Sequence, residues 1–346
     1  MTHKLALIGF GTVGQGLAEI LRDKEQFLRE EIGFEAEIVA VSDLLKGALY
    51  HPAGLDIVKL LEVVQTTGRL ADYPDLPGLE RGWDSLKTIR ETNADTIVEV
   101  SYTDIKTGQP AIDHCRTAFA SGKNVVMSNK GPVALAFQEL SARAKAAGVR
   151  WGFEGTVMSG TPALRMPLTA LAGNDIREVR GIFNGTTNYI LTKMEEGLSY
   201  AAALKQAQEL GYAEADPTAD VEGYDALGKV VILANVVMNA PLTKEEVVCR
   251  GISHLTLADI ERARAEGKRW KLIGRAKKEG ERVVASVGPE LVPLTDPLAG
   301  IMGATNAITY ECDLAGPITL VGAGAGRVET GFSILIDLIN IERGNL

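Results

Sequence analysis

Histidine and cysteine are scarce in this chain of 346 residues, which holds four of the first and three of the second. His3, His51, His114 and His254 are scattered, and Cys115, Cys249 and Cys312 lie far apart without metal-ligand spacing. Zinc chemistry or a histidine-activated nucleophile therefore has almost no raw material. An odd set of dispersed cysteines suits a reducing compartment better than a disulfide framework. No apolar run reaches bilayer-spanning length, and the first, Leu5 to Phe10, meets Gly11 and Gly14 too soon to be a signal-peptide core. Lysine and arginine form no block and the formal charge is -9, so neither nucleic acid nor anionic membrane is expected as a partner. What remains is a cytoplasmic protein acting on a small molecule, with 46% hydrophobic residues, enough for two ordinary cores.

Glycine is plentiful, and its placement organises the chain. Lys4 to Ile8 reads as a buried strand, Gly9 to Gly14 as a turn, Val13 to Arg22 as a helix, and Ala36 to Val41 as a second strand ending at Ser42-Asp43. Further strands are expected at 96–100 and 124–127, with helices over 109–120 and 132–147, an alternation that predicts a doubly wound parallel sheet of Rossmann type. The stretch 51–84 gives no readable outline. After Gly148 the pattern changes: strands at 149–153, 176–183, 270–277 and 282–287, helices over 187–196, 200–210, 221–238 and 257–267, and a hairpin turn at 278–281 predict a second α+β domain with a mixed sheet. The expected division is 1–148 for nucleotide binding, 149–315 for substrate and dimerisation, and 316–346 as a segment whose helix, 330–341, packs back on the first domain.

Gly9-Phe10-Gly11-Thr12-Val13-Gly14 fits G-x-G-x-x-G between a strand and a helix. That context suits a dinucleotide, because glycines admit the pyrophosphate and free N–H groups at the helix start face its charge. A turn kept only for helix packing is the bland alternative. Asp43 ends the second strand where a carboxylate can accept from an adenosine ribose, which favours NAD, while Lys46 nearby leaves NADP open. Ser101 and Lys130 follow later strands, on the side where such sheets bind ligand.

In the run Asp216-Pro217-Thr218-Ala219-Asp220-Val221-Glu222-Gly223-Tyr224-Asp225-Ala226-Leu227-Gly228-Lys229, four carboxylates precede a lysine that leads into apolar Val230 to Ala234. A helix apolar on every side is buried, so Lys229 must exchange water for acids or substrate. Asp225 stands one turn before it and Glu222 another, on nearly the same side. An exposed ion pair is the ordinary account of such spacing, and the apolar surroundings argue against it. Glu214, Asp216 and Asp220 add a dense acidic loop suited to an ammonium group. Asn184-Gly185-Thr186-Thr187 reads as a helix cap able to face a carboxylate.

These motifs, with Ser128-Asn129-Lys130-Gly131-Pro132, Gly181 to Leu191, and Gly322 to Gly326 with Thr330, together resemble homoserine dehydrogenase over essentially the whole chain. The resemblance implies reversible NAD- or NADP-dependent reduction of L-aspartate 4-semialdehyde to L-homoserine, in threonine, methionine and isoleucine biosynthesis. It implies Lys229 as catalytic acid/base, Lys130 at the nicotinamide end and the reacting oxygen, and Glu214, Asp220 and Asp225 around the substrate. It further implies Gly322 beside the cofactor, a homodimer, and a sodium or potassium ion at Glu154, Val157, Ser159 and Thr161. Met158-Ser159-Gly160 stands where small residues are usual in that loop. The turn at Gly9 and the single helix after Gly326 point to the form without an aspartokinase or a C-terminal regulatory domain. A competing class is a redox-sensing dinucleotide-binding module without chemistry, which leaves Lys229 unexplained.

Overall fold

In the computed structural model, which describes residues 2–346, the chain divides into two units: residues up to Gly160 together with Gly326–Leu346, and Thr161–Ala325. The first unit begins with β1 (His3–Ile8), whose last four residues are buried, followed by α1 (Thr12–Asp23), a short helical hook containing α2 (Glu25–Phe27), and β2 (Ala36–Asp43). Then come β3 (Gly47–Tyr50), α3 (Ile57–Thr67), β4 (Glu80–Arg81), α4 (Ser85–Glu91), β5 (Thr96–Glu99), α5 (Ala111–Ala120), β6 (Asn124–Met127), α6 (Lys130–Leu135), α7 (Phe137–Ala147) and β7 (Trp151–Gly152). Strand order is β4-β3-β2-β1-β5-β6-β7, parallel from β2 through β7, with β3 and β4 antiparallel at one edge. The order reverses between β1 and β5, which opens a crevice at their carboxyl ends.

Several expectations need correction here. The stretch 51–84, which gives no readable outline in the sequence, holds α3, bracketed by Asp56, whose side chain accepts from Lys59 N–H, and by Gly68 in the left-handed region. The helix expected over 132–147 is two helices, broken at Ala136 (φ -140°). Trp151 and Gly152, assigned by pattern to the second domain, pair in parallel with Val125 and Val126 and so extend the first sheet.

The second unit contains β8 (Ile176–Ile182), α8 (Gly185–Glu195), α9 (Tyr200–Glu209), α10 (Thr218–Val221), α11 (Tyr224–Val237), β9 (Val248–Cys249), α12 (Leu257–Ala265) and β10 (Lys268–Glu279). It closes with β11 (Arg282–Pro293), β12 (Thr305–Cys312) and β13 (Gly316–Ala323). The sheet order is β13-β12-β8-β10-β11-β9, antiparallel except for the β11–β9 pair. Helix α11 packs across β10 and β11, and Gly274 lacks a side chain because a Cβ there would come within 2.6 Å of Phe183 and Val230. The helix expected over 221–238 is interrupted at Gly223 (φ +84°), so α10 and α11 meet at an angle that a continuous helix would forbid. Residues 316–323 do not leave for the first domain: β12 offers them an antiparallel edge, with Gly322 opposite Asn306.

The chain returns to the first unit with α13 (Arg327–Glu342). It lies against α1 at glycine contacts: a Cβ on Gly16 would stand 2.1 Å from the Arg327 carbonyl oxygen, and one on Gly331 would stand 2.8 Å from Gly16. Arg327 grips Glu19 with both arms, Nε–Oε2 at 2.9 Å and a terminal nitrogen to Oε1 at 2.6 Å. Ile334 and Leu338 are fully buried beside Leu5 and Leu17, each burial worth about 1.5–3 kcal/mol.

Candidate functional site

In the first unit the glycine turn joins β1 to α1. Gly9 adopts φ +99°, and a Cβ there would lie 2.5 Å from the Val100 carbonyl, so the turn rests directly on the end of β5. Gly14 is equally confined, by the Gly9 carbonyl at 2.7 Å. Gly11 is the exception, with open space beside it, and as N-cap of α1 it supplies no side-chain acceptor to the helix's first N–H groups. Thr12 is exposed, Val13 half-buried and Phe10 wholly buried, so the first turn of the helix is presented while Phe10 anchors it. This is an anion-binding geometry.

Asp43 ends β2 as expected and is already engaged. One oxygen accepts from Phe10 N–H at 2.7 Å, the other from Leu45 and Lys46 N–H at 3.0 and 2.9 Å, with the Lys46 ammonium 4.0 Å away. Burial pushes this carboxyl up, but the three backbone donors and Lys46 outweigh it and hold it below the usual carboxylate range. Across the crevice, the Ser101 N–H donates to Glu99 at 3.0 Å and its hydroxyl donates to the same oxygen. Lys130 is half-buried at the first position of α6, behind Asn129, whose side chain accepts from Gly131 N–H at 3.1 Å.

In the second unit Lys229 is 6% exposed. Its ammonium donates to the Phe183 carbonyl at 2.6 Å and to Asp225 at 2.8 Å, across one turn of α11. Asn184 caps α8 by accepting from Thr187 N–H, and its amide nitrogen donates to Asp220 at 2.6 Å and Asp225 at 3.1 Å. One side chain thus ties the helix start to both acids. Burial pushes the Asp220 carboxyl up, with the Asn184 hydrogen bond opposing and the neighbouring Asp225 charge adding to it. Glu214 is exposed on the preceding loop. Glu222 does not join the cluster, because the break at Gly223 turns it toward Gly251. Gly322 packs against Thr161, whose hydroxyl a Cβ would meet at 2.1 Å.

Residues 9–154 match the family model for the homoserine dehydrogenase NAD-binding domain, and residues 162–339 match the homoserine dehydrogenase model. The chain is 46% identical over 342 residues to an NAD(+)-dependent homoserine dehydrogenase of Pseudomonas canavaninivorans, covering 99% of this chain and 96% of that one. It belongs to the homoserine dehydrogenase family. It is also 43% identical over 338 residues to a homoserine dehydrogenase of Methanocaldococcus jannaschii, covering 97% and 98% of the two chains. A hyperthermophilic archaeal homoserine dehydrogenase mutant, solved in complex with NADPH, superposes with a TM-score of 0.85 at 30% identity, covering 99% of this chain and 98% of that one.

Glu154, Val157, Ser159 and Thr161, which the homoserine dehydrogenase resemblance links to an alkali ion, can offer only oxygen donors, which fits a hard monovalent cation. Glu154 and Ser159 are buried, Met158 and Ser159 both stand at φ +54°, and the Ser159 hydroxyl lies 2.8 Å from that of Thr330. Val157 can add only its carbonyl. Thr161, in the second unit, donates to the Ala323 carbonyl at 3.2 Å. Sequence reasoning missed two polar centres. Glu99 and His114 form a buried pair behind Ser101, at 2.5 Å. Asn306 is fully buried against Gly324, and among the described residues neither of its amide atoms has a hydrogen-bond partner. Asn306 carries no motif in the sequence; the alternation of Ile308, Thr309, Tyr310, Glu311 and Cys312, which puts it on the apolar face of β12, is the signal that could have found it.

Proposed function

We propose that the chain reduces L-aspartate 4-semialdehyde to L-homoserine reversibly, with NADH preferred over NADPH and Lys229 as the acid/base. The observation that carries this reading is the Lys229 ammonium, buried in an apolar helix and held between a carbonyl and a carboxylate. Two of its three N–H bonds are spent on Phe183 and Asp225, and among the described residues the third has no acceptor, which leaves it for a substrate oxygen. In the reducing direction Lys229 passes a proton to the alkoxide that forms from the aldehyde; in the oxidising direction the neutral amine removes the hydroxyl proton. Bound nicotinamide supplies or receives the hydride.

Asp220, Asp225 and Glu214 form the acidic side suited to the substrate ammonium, and Asn184 fixes the first two. The Gly9–Gly14 turn and the start of α1 would hold the pyrophosphate, Ser101 and Gly322 would border the cofactor, and Lys130 would meet the nicotinamide end and the reacting oxygen. An ionised Asp43 supports NADH, since a 2′-phosphate placed there would meet its charge. Glu154, Val157, Ser159 and Thr161 would hold sodium or potassium as a structural charge. The first unit serves the nucleotide; the second, which holds the acidic loop, serves substrate and dimerisation, in a homodimer. Three free cysteines support a cytoplasmic setting.

Absorbance of the reduced nicotinamide, followed in separate assays with each cofactor and with homoserine or the semialdehyde, tests the whole reading. Turnover with NADH is expected. Binding of NADH without turnover on either substrate would refute it.

A further inference from the structure

The most deeply buried acid of the first unit is absent from the chemistry above. Glu99, at the end of β5, has no solvent exposure, and His114, on α5, is 2% exposed. A carboxylate without water is costly unless donors surround it. Here they do. Glu99 Oε2 accepts from His114 Nδ1 at 2.5 Å, and Oε1 accepts from the Ser101 N–H at 3.0 Å and from the Ser101 hydroxyl, with the Asn129 amide 3.5 Å away. The far ring nitrogen of His114 lies 2.8 Å from the Ser85 hydroxyl. Neutral or protonated, the ring can direct Nδ1–H at Glu99, because the serine hydroxyl can donate or accept.

The carboxylate's partners are the parts of the crevice that matter for a nucleotide. Ser101 opens the loop after β5, against which Gly9 rests. Asn129 donates to the Ser101 and Tyr102 carbonyls at 3.3 and 3.1 Å while its oxygen holds the first turn of α6, which begins with Lys130. The loop's far end is seated on the same turn, since a Cβ on Gly131 would stand 2.8 Å from the Gly108 Cα. We propose that Glu99 and His114 are positioning residues that pre-form the cofactor crevice, setting the 101–108 loop and the start of α6 before the dinucleotide arrives, so that binding costs less ordering. This rests on the dinucleotide reading of the crevice.

The test compares His114→Ala with His114→Asn, whose amide nitrogen can stand where Nδ1–H does. NADH affinity is read by fluorescence titration, and amide hydrogen exchange over 100–108 is read in the ligand-free protein. His114→Ala is expected to weaken NADH binding about tenfold and to speed exchange in the loop, as loss of one buried charged hydrogen bond should. His114→Asn should recover most of both, and kcat at saturating NADH should change far less than the KM for NADH. Equal behaviour of the two variants, or wild-type affinity and exchange in both, would overturn the proposal. Should His114→Ala not fold, Glu99→Gln serves, because its NH2 must face either Ser101 or His114; wild-type NADH binding in that variant would also overturn it. A wild-type protein that binds no NADH would instead remove the dinucleotide reading itself.

Discussion

Lys271 is more deeply buried than Lys229, and its contrast with Lys229 can be measured. It has no exposed surface, and its ammonium donates to neutral acceptors, Asn188 Oδ1 at 3.0 Å and the Ile301 carbonyl at 2.5 Å. Burial outweighs the more distant Glu195 charge and pushes its pKa down to about 8. A depression of that size from the free lysine value corresponds to on the order of 3 kcal/mol. The direction of the linkage follows from proton counts. Between about 8 and the ordinary lysine value the unfolded chain binds the proton and the folded chain does not, so stability rises with pH across that window. Below it the penalty is present in full. Lys271→Met keeps an unbranched side chain but cannot titrate; its orphaned acceptors cost about 1–3 kcal/mol each, independent of pH. Urea unfolding of both proteins at pH 7.5 and 10 should therefore show wild type gaining most of that ~3 kcal/mol relative to the variant. Parallel pH dependences would refute the assignment of a desolvated, uncompensated lysine.

Three further outcomes follow from the same geometry. Asp220→Asn should lower kcat/KM about 10- to 100-fold, the loss of one charged hydrogen bond to the substrate ammonium. Because burial raises the Asp220 pKa, its favourable contribution is present below the ordinary carboxylate value and lost as pH rises through the folded one, so the variant's thermal midpoint should gain on wild type as pH rises above the ordinary carboxylate value; no such gain would reject the burial argument. Wild type should favour NADH over NADPH by about tenfold or more in kcat/KM, and Asp43→Asn should narrow that gap; an unchanged ratio would show that Asp43 does not read the ribose. Gly16→Ala, whose Cβ would stand 2.1 Å from a backbone oxygen, should destabilise the protein by about 1–3 kcal/mol in urea unfolding, and a neutral result would mean that α1 and α13 separate freely.

The parts of this protein legible in its sequence are those where backbone chemistry leaves a local mark. Gly9, Gly11 and Gly14 announce a turn, and Lys229 announces itself by entering an apolar run. Lys271 sits in a strand of mixed residues and gave no such mark, so burial of a lysine does not by itself signal chemistry; the carboxylate at 2.8 Å from Lys229 is what separates the two. Glu99 and His114 are 15 residues apart and meet only because helix α5 packs against β5. Single residues on separate elements leave no pattern to read. Strand β12 alternates apolar and polar residues from Ile308 to Cys312, yet its polar face is buried as well apart from half-buried Thr305 and Glu311, which the alternation does not show. Helix α3, by contrast, carried readable stops at Asp56 and Gly68 that the surrounding Gly, Pro and Asp obscured. Asn184 was legible as a cap, whereas its second role, bridging Asp220 and Asp225, required the fold.

The central claim is that the amine at position 229 carries the proton. Single-turnover oxidation of homoserine by Lys229→Ala, with NADH formation followed by stopped-flow absorbance and NADH affinity measured on the same preparation, tests it directly. The account expects a rate lowered by about 10² or more with cofactor affinity unchanged. A rate near wild type would contradict it.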